Sequence, residues 1–569
     1  MRFGSVDMFM EFGEWDFRMG RPIANEGFLR ALLKYGTYDE YEFFCPDYAH
    51  MTKFSEKVMG LIPDVSLRSR VKASLHVCLS DSLRLKRYDA FHLGDFTRYM
   101  PYLAGIRNLW AKHPFPITGV THSLDGVFLN LRYLELLVAG LAPFDSIICT
   151  SESAKKVVEK GFDWVKRQTR DMYHIDLNTD VRMEKIPLGI EETFFGNYDK
   201  KSAKAYFNIP EEMVVALSVG RLSLRQKADW SPVLETLARM YSRGDAENLL
   251  LIIAGGGSES DISLLESLIS RLDLEQRVLL FPNFLPEVKE SLYKAADIYL
   301  SIIDNFQETF GLNVVEAMAS GLPVIVSDFD GYRDLVKEGE NGFLIPTVWS
   351  KDIPEFLMEN LGILDPSVEG LYFSQMVAAD LAKLDHSIKV LYSDINLRRS
   401  MGLRGCRLAQ SYRWHEIIRQ YETLWADLGK EAGRPDREWH KPGLNLLVGN
   451  PADTFSHYPS RTLAGTDFVT LTDIGRGVME GSNCPTRYED IEAPIFQELE
   501  RIVLEDLSQG SRSVETIKQR ASEILGATEG QTEFHILWLL KHGAISLESL
   551  GDERYSGSHS IFVSQHGKD

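Results

Sequence analysis

Cysteine is scarce and scattered. Cys45, Cys78, Cys149, Cys406 and Cys484 are odd in number, far apart and without a CxxC pair. That excludes a disulfide frame and a zinc-site spacing, and it fits a reducing compartment. Long hydrophobic runs are missing too: no stretch approaches the ~20 apolar residues needed to cross a bilayer. The first residues, MRFGSVDMFMEFGEWDF, set acids among the apolar side chains, unlike a signal peptide. Positive charge is in deficit, with 62 Lys and Arg against 82 Asp and Glu and a formal net charge of -20. Phosphate backbones would be repelled, so no nucleic-acid partner is expected. No internal repeat or low-complexity tract occurs. What is there is a chain of 569 residues, 44% hydrophobic and 25% charged. That is the composition of a globular protein of more than one domain, expected in the cytoplasm.

One stretch organises the chain: IYLSIIDNFQETFGLNVVEAMASGLPVIVSD, residues 298–328. Ile298 to Ile303 reads as a buried parallel strand, and Asp304 to Thr309 as a polar loop. From Leu312 to Ala319 come helix formers, with Leu312, Val315 and Ala319 on one face. Gly321 suits the positive φ just past a helix, Pro323 bars its continuation, and Val324 to Val326 is a second buried strand. In such a unit ligands sit outside the carboxyl ends of the strands. Glu308, Thr309, Phe310 and Gly311 fall there, where unpaired N–H groups and the helix dipole attract anions. Glu308 and Glu316 flank that terminus and suit hydroxyls on either side of a phosphate. A nucleotide sugar has that shape.

Upstream, MVVALSVGRLSLRQKADW reads as a strand and then a basic loop, with Arg221 and Lys227 at the strand's carboxyl end. A planar fork and a point charge both suit phosphate oxygens. Each charge-assisted contact is worth about 1.5–3 kcal/mol. NLLLIIAGGGSESD enters a turn at Gly255 to Gly257, a weak phosphate signal by itself. Asp328-Phe329-Asp330 spells DxD and is read as a loop rather than a metal site.

ETFGLNVVEAMASGLPVIVSD resembles the Glu-x7-Glu signature of retaining GT-B glycosyltransferases of the family 4 type (glycosyl transferases group 1). The resemblance runs over residues 1–430, most strongly over 213–346. It implies an α/β chain of the GT-B class, two Rossmann-like domains facing a cleft. These are an acceptor domain at 1–196 and a nucleotide-sugar domain at 213–410, joined by a linker, with a crossover helix at 411–430. The implied activity is transfer, with retention, from a UDP- or GDP-linked sugar to an unidentified glycan, lipid-linked or protein acceptor, as in polysaccharide biosynthesis. No cofactor and no metal are implied. Arg221 and Lys227 fall on the donor diphosphate, Glu316 on the ribose and Glu308 on the sugar hydroxyls. The backbone of Phe310, Gly311 and Leu312 would assist, and that around Asn283 and Phe284 would lie against the base. His122 would contact the sugar from the opposite domain, and with Glu308, Arg221 and Lys227 it makes up the catalytic set. Where the family carries a Gly-Gly pair and a glutamate, this chain has Asp330-Gly331 and Asp334. The rival expectations are a non-catalytic nucleotide-sugar-binding scaffold subunit and a GT-B-fold nucleotide-sugar epimerase.

In the first half, NEGFLRALLKY reads as a helix from Asn25 to Tyr35. Gly20 and Arg21 lie in the loop before it, either cradling a phosphate or acceptor or forming a plain turn. Arg68, Arg70, Lys72, Arg84, Lys86 and Arg87 oppose only Asp81. A solvated helix face is favoured there over a patch for anionic lipid or a phosphorylated acceptor, which would bring peripheral membrane contact. His92 and His122 close two strands, and both are candidates to face the cleft. Ser151 or Ser153 caps the helix that follows them. SYRWHEIIRQYETLWADL is amphipathic, with Trp414, Ile417, Ile418, Tyr421 and Leu424 on its apolar side. Past a linker marked by Pro435, Pro442 and Pro451, residues 445–569 form an acidic, mostly helical extension. Its three helical segments are spaced as in a small winged-helix module. It is expected to dock a partner, a further copy or an acceptor, or else simply to stabilise the chain.

Overall fold

The computed structural model describes residues 1–11, 20–62, 64–126, 128–196, 199–225, 227–434, 447–491 and 497–548. The chain falls into two units, Met1–Val448 and Gly449–Asp569.

The first unit holds two parallel sheets. β1 (Arg2–Ser5), β2 (Glu40–Cys45), β3 (Val71–Leu75), β4 (Ala90–Leu93), β5 (Ile117–Val120), β6 (Ser146–Cys149) and β7 (Arg182–Lys185) pair in the order β3-β2-β1-β4-β5-β6-β7. β8 (Val214–Val219), β9 (Leu249–Gly255), β10 (Val278–Pro282), β11 (Ile298–Ser301), β12 (Val324–Ser327) and β13 (Gly342–Ile345) pair as β10-β9-β8-β11-β12-β13. β9 (LLLIIAG) is apolar throughout and buried at every residue, as burial on both faces requires. Both orders reverse direction beside the first strand of their set, which makes β1/β4 and β8/β11 the switch points where such sheets take ligands.

Five helices position the chemistry: α1 (Gly20–Tyr35), α2 (Glu152–Tyr173), α3 (Pro286–Ala295), α4 (Leu312–Ala319) and α5 (Trp414–Ala432). Ser151, not Ser153, caps α2, accepting from the Ala154 N–H at 3.0 Å. α5 returns from the second lobe to the first. It buries Trp414, Ile417, Ile418, Tyr421 and Trp425, and Trp425 Nε1 donates to Thr118 Oγ1 at 2.9 Å. Leu424, expected on its apolar side, is only partly buried. A buried ion pair anchors the first lobe. Arg107, fully buried, donates to Asp145 at 2.5 and 2.9 Å, and Asp145 also accepts the N–H groups of Ile117 and Ala142.

Several expectations are corrected. Gly20 and Arg21 do not lie in a loop: they open α1, and Arg21 pairs with Glu11 (2.7 Å) and Asp95 (3.4 Å). The segment taken as a linker carries a helix, Lys200–Tyr206, capped by Asp199. The cations of 66–87 lie on no single helix face, because β3 and two short helices divide them. β2 supplies their counter-ions: Lys72 meets Glu40 at 2.9 Å and Lys86 meets Glu42 at 2.8 Å, while Arg84 meets Asp81 at 2.5 Å. Beyond β13 the chain forms β14 (Thr347–Trp349), makes an excursion over 350–376, and returns as antiparallel β15 (Val377–Ala379).

The second unit combines helices Gln497–Ser508, Val514–Leu525 and Glu529–Lys541 with a three-stranded antiparallel sheet. β16 (Phe468–Leu471), β17 (Arg512–Ser513) and β18 (Ile545–Leu547) pair as β17-β16-β18, a small sheet in an extension that is mostly helical, as expected. Pro435 and Pro442 of the expected linker lie outside the described residues.

Candidate active site

At the second switch point, β8 runs into the loop bearing Arg221 and Lys227, and β11 into the loop bearing Glu308. The loops brace each other. Asn305 Nδ2 donates to the Arg225 carbonyl at 3.1 Å, and the Asp229 N–H donates to Asp304 Oδ2 at 3.1 Å. Arg221 Nη1 donates to Gln307 Oε1 at 3.2 Å. Beside that bond, the Lys227 ammonium touches the Glu308 carboxylate. Burial lowers the Arg221 pKa from its ordinary value, while Asp125 and Glu308 act to raise it.

Gly311 is the N-cap of α4 at φ 105°, where a non-glycine residue is strained. A Cβ there would also stand 2.6 Å from the Tyr332 ring. Phe310 is buried in the core and Leu312 packs against it. Asn313 Nδ2 donates to the Val219 carbonyl at 2.9 Å and ties α4 to the end of β8. One turn further in, Glu316 is 4% exposed. Its Oε1 accepts from Lys289 Nζ at 2.8 Å and its Oε2 from the Tyr293 hydroxyl at 2.9 Å, both donors standing on α3.

Gly255 lies against the backbone of Gly220, whose carbonyl oxygen would be 1.5 Å from an added Cβ. Asn283 sits in the left-handed region at φ 51°. Its side chain accepts from the Gly257 N–H at 3.0 Å and donates to the Gly257 carbonyl at 3.2 Å, bracing the glycine turn. Phe284 packs against the core beside it.

His122 follows β5 and bonds within its own lobe: Nε2 is 2.7 Å from the Gly94 carbonyl and 3.1 Å from Asn25 Oδ1. Both are acceptors, so Nε2 carries the proton. Burial pulls the ring's pKa down to about 4, against the pull of Asp95, so the ring is neutral at physiological pH. The His122 carbonyl accepts from Thr309 Oγ1 at 2.9 Å, which joins the two lobes at the site. A second join lies alongside. Ser153 Oγ donates to the Asp330 carbonyl at 2.9 Å, and Asp334 accepts the Glu152 N–H at 2.9 Å and Lys185 Nζ at 3.3 Å.

His92 is not in the cleft. It is fully buried, near-parallel to the Phe9 ring at 5.7 Å and 5.0 Å from Tyr421, with Nδ1 2.9 Å from Thr118 Oγ1. In the DxD segment Asp328 pairs with Arg333 at 2.9 Å. Asp330 takes φ 46°, and burial, then the nearby Glu308, push its carboxyl well above the usual range. Gln307, Lys289 and Tyr293 escaped sequence reasoning, which places Thr309 at the loop without its bond to the opposite lobe. Lys289 and Tyr293 share a helix face at i, i+4, but nothing local says that the face meets Glu316, 27 residues on.

The family model described as glycosyl transferases group 1 matches residues 199–359. A protein named D-inositol 3-phosphate glycosyltransferase, from Nocardia farcinica, is 31% identical over 276 residues, covering 47% of this chain and 52% of its own length. Another of that name, from Rhodococcus opacus, is 29% identical over 167 residues, covering 29% of this chain and 36% of its own. The chain thus spans about half, or less, of the length of these curated relatives. Among solved structures, HepE from Anabaena in complex with UDP aligns at 15% identity over 75% of this chain and 100% of its own, with a TM-score of 0.51. The same protein with UDP and glucose gives 0.50 at the same identity and coverage. The match to the glycosyl transferases group 1 model thus lies within the second lobe, and the first unit as a whole has the GT-B fold.

Proposed function

We propose that this chain moves a sugar from a nucleoside diphosphate sugar to an acceptor, with retention at the anomeric carbon. One observation carries the reading: Lys227 and Glu308, from loops on either side of the switch point, meet beside the Arg221–Gln307 bond. A diphosphate entering there would exchange Glu308 for phosphate oxygens on Lys227. The freed carboxylate would then accept from the sugar hydroxyls. Glu316 would accept the ribose hydroxyls, and the backbone of Phe310 to Leu312 would face the phosphate.

As the bond from C1 to the diphosphate oxygen breaks, negative charge gathers on the leaving group. Arg221 and Lys227 would stabilise it, usually the largest electrostatic demand of such a step. The acceptor oxygen bonds to C1 on the face that the diphosphate leaves, and its proton passes to a phosphate oxygen. His122 would contact the sugar from the first lobe through neutral Nδ1, so turnover requires the lobes to close. The two cations supply the charge that a metal supplies elsewhere, so no metal takes part.

The relatives named for D-inositol 3-phosphate and the neighbour crystallised with UDP make that acceptor and UDP-sugars the first pair to try. The test is nucleoside diphosphate release from UDP-, GDP- and ADP-sugars with and without acceptor. Release that needs an acceptor supports the transferase. Conversion of donor alone would mark an epimerase, and binding without conversion a scaffold.

A further inference from the structure

Glu316, the proposed ribose ligand, does not stand alone. The carboxylate is 4% exposed, and α3 delivers two donors to it. Tyr293 is fully enclosed, but Lys289 keeps 21% of its side chain exposed, so its ammonium sits between solvent and a buried acid. Lys289 Nζ also lies 5.8 Å from the centre of the Phe194 ring, and Phe194 packs edge-on to Tyr293 at 5.4 Å. The lysine is therefore held from two sides rather than trailing in water. A buried carboxylate is costly unless paired and hydrogen-bonded. One tyrosine hydroxyl satisfies part of that demand, and the ammonium supplies the balancing charge.

We infer that Lys289 is a positioning residue: its ammonium holds the Glu316 carboxylate in the orientation from which it accepts the hydroxyls of the donor's ribose. This deepens the proposed function and rests on its placing of ribose at Glu316. Lys289 Nζ spans both oxygens, 2.8 Å from Oε1 and 2.7 Å from Oε2, and the Tyr293 hydroxyl donates to Oε2 at 2.9 Å, so the carboxylate plane is fixed by two donors. The remaining lone pairs are left for a diol. Without the ammonium, the acid swings or takes a proton, and either change removes an acceptor from the ribose. Selection for ribose over deoxyribose is then the property that Lys289 controls. A lysine that only ties α3 to α4 would not control it.

The test uses the full chain, with UDP, GDP and ADP as probes and then the 2′-deoxy form of whichever binds, titrated calorimetrically at pH 6 and pH 8. Wild type should prefer the ribonucleotide by roughly tenfold or more, the worth of a hydrogen bond to a charged group. K289M should lose most of that preference, bind the ribonucleotide more weakly at pH 6 than at pH 8, and recover on substitution with arginine in K289R. Should K289M fail to fold, K289Q, which removes the charge and keeps a polar side chain at the position, carries the same test. A K289M or K289Q chain that keeps wild-type discrimination at both pH values overturns this inference alone. Wild type that binds none of the three diphosphates overturns the donor reading and this inference together.

Discussion

The hydroxyl of Thr309, on the second lobe, donates to the carbonyl of His122, on the first, across 2.9 Å. Thr309 sits next to Glu308, and His122 follows β5, so this bond sets the acid loop against the histidine. Thr309→Val keeps the shape and leaves that carbonyl without its donor. The expected loss is about 1–2 kcal/mol, read as a fall of roughly 5- to 30-fold in kcat/KM with little change in melting temperature. An unchanged kcat/KM would remove the bond from the closed, working arrangement.

Arg107 and Asp145 lie far from this chemistry, and both are fully buried. Arg107→Met leaves Asp145 charged and without its guanidinium, although two backbone N–H groups remain on it. Destabilisation of about 3–5 kcal/mol is expected, measured by denaturant unfolding of the first unit. Replacing both residues by apolar ones should cost less than the single change.

Asp304 braces the cation loop from a poor position for an acid. Burial pushes its pKa up to about 7, and its Oδ1 is enclosed without a hydrogen-bond partner. The folded chain therefore holds this proton more tightly than the unfolded chain. The site costs nothing below about pH 4, and its penalty grows as pH rises through the folded value near 7. Asp304→Asn, which keeps an acceptor for the Asp229 N–H, should raise stability at pH 8 by roughly 1–2 kcal/mol and change little at pH 4. Melting curves at the two pH values test the sign. An equal shift at both would show that charge is not the cause.

Chelation offers a separate check. With Arg221 and Lys227 meeting the diphosphate, turnover in EDTA should equal turnover without it. A loss restored by manganese or magnesium would bring a metal into the step and reopen the role of Asp328 and Asp330.

What could be read from the sequence was local. The 298–328 stretch carries its strand, loop, helix and strand in residue type alone: apolar runs, a polar loop, Gly321 at positive φ just past the helix, and Pro323. Arg221, Lys227 and Glu308 were legible because each sits just beyond a buried strand. The departures came from contacts distant in sequence. His92 lies near the end of β4 and His122 just past β5, but α5 returns from the second lobe and encloses His92 with Tyr421 and Trp425. The cations of 66–87 look unopposed in sequence because their partners Glu40 and Glu42 stand on β2. Lys289 gave no sign of its pairing with Glu316, since only the packing of α3 on α4 brings them together.

The most direct measurement is nucleoside diphosphate release from UDP-, GDP- and ADP-sugars by wild type and by R221A/K227A, each with D-inositol 3-phosphate and other polyol acceptors. Wild type should release the diphosphate of one base in an acceptor-dependent way. The double variant should be slower by roughly 100-fold or more, the loss expected when two charge-assisted contacts to a leaving group are removed. A double variant as fast as wild type, or a wild type that neither binds nor turns over any of these donors, would contradict the account.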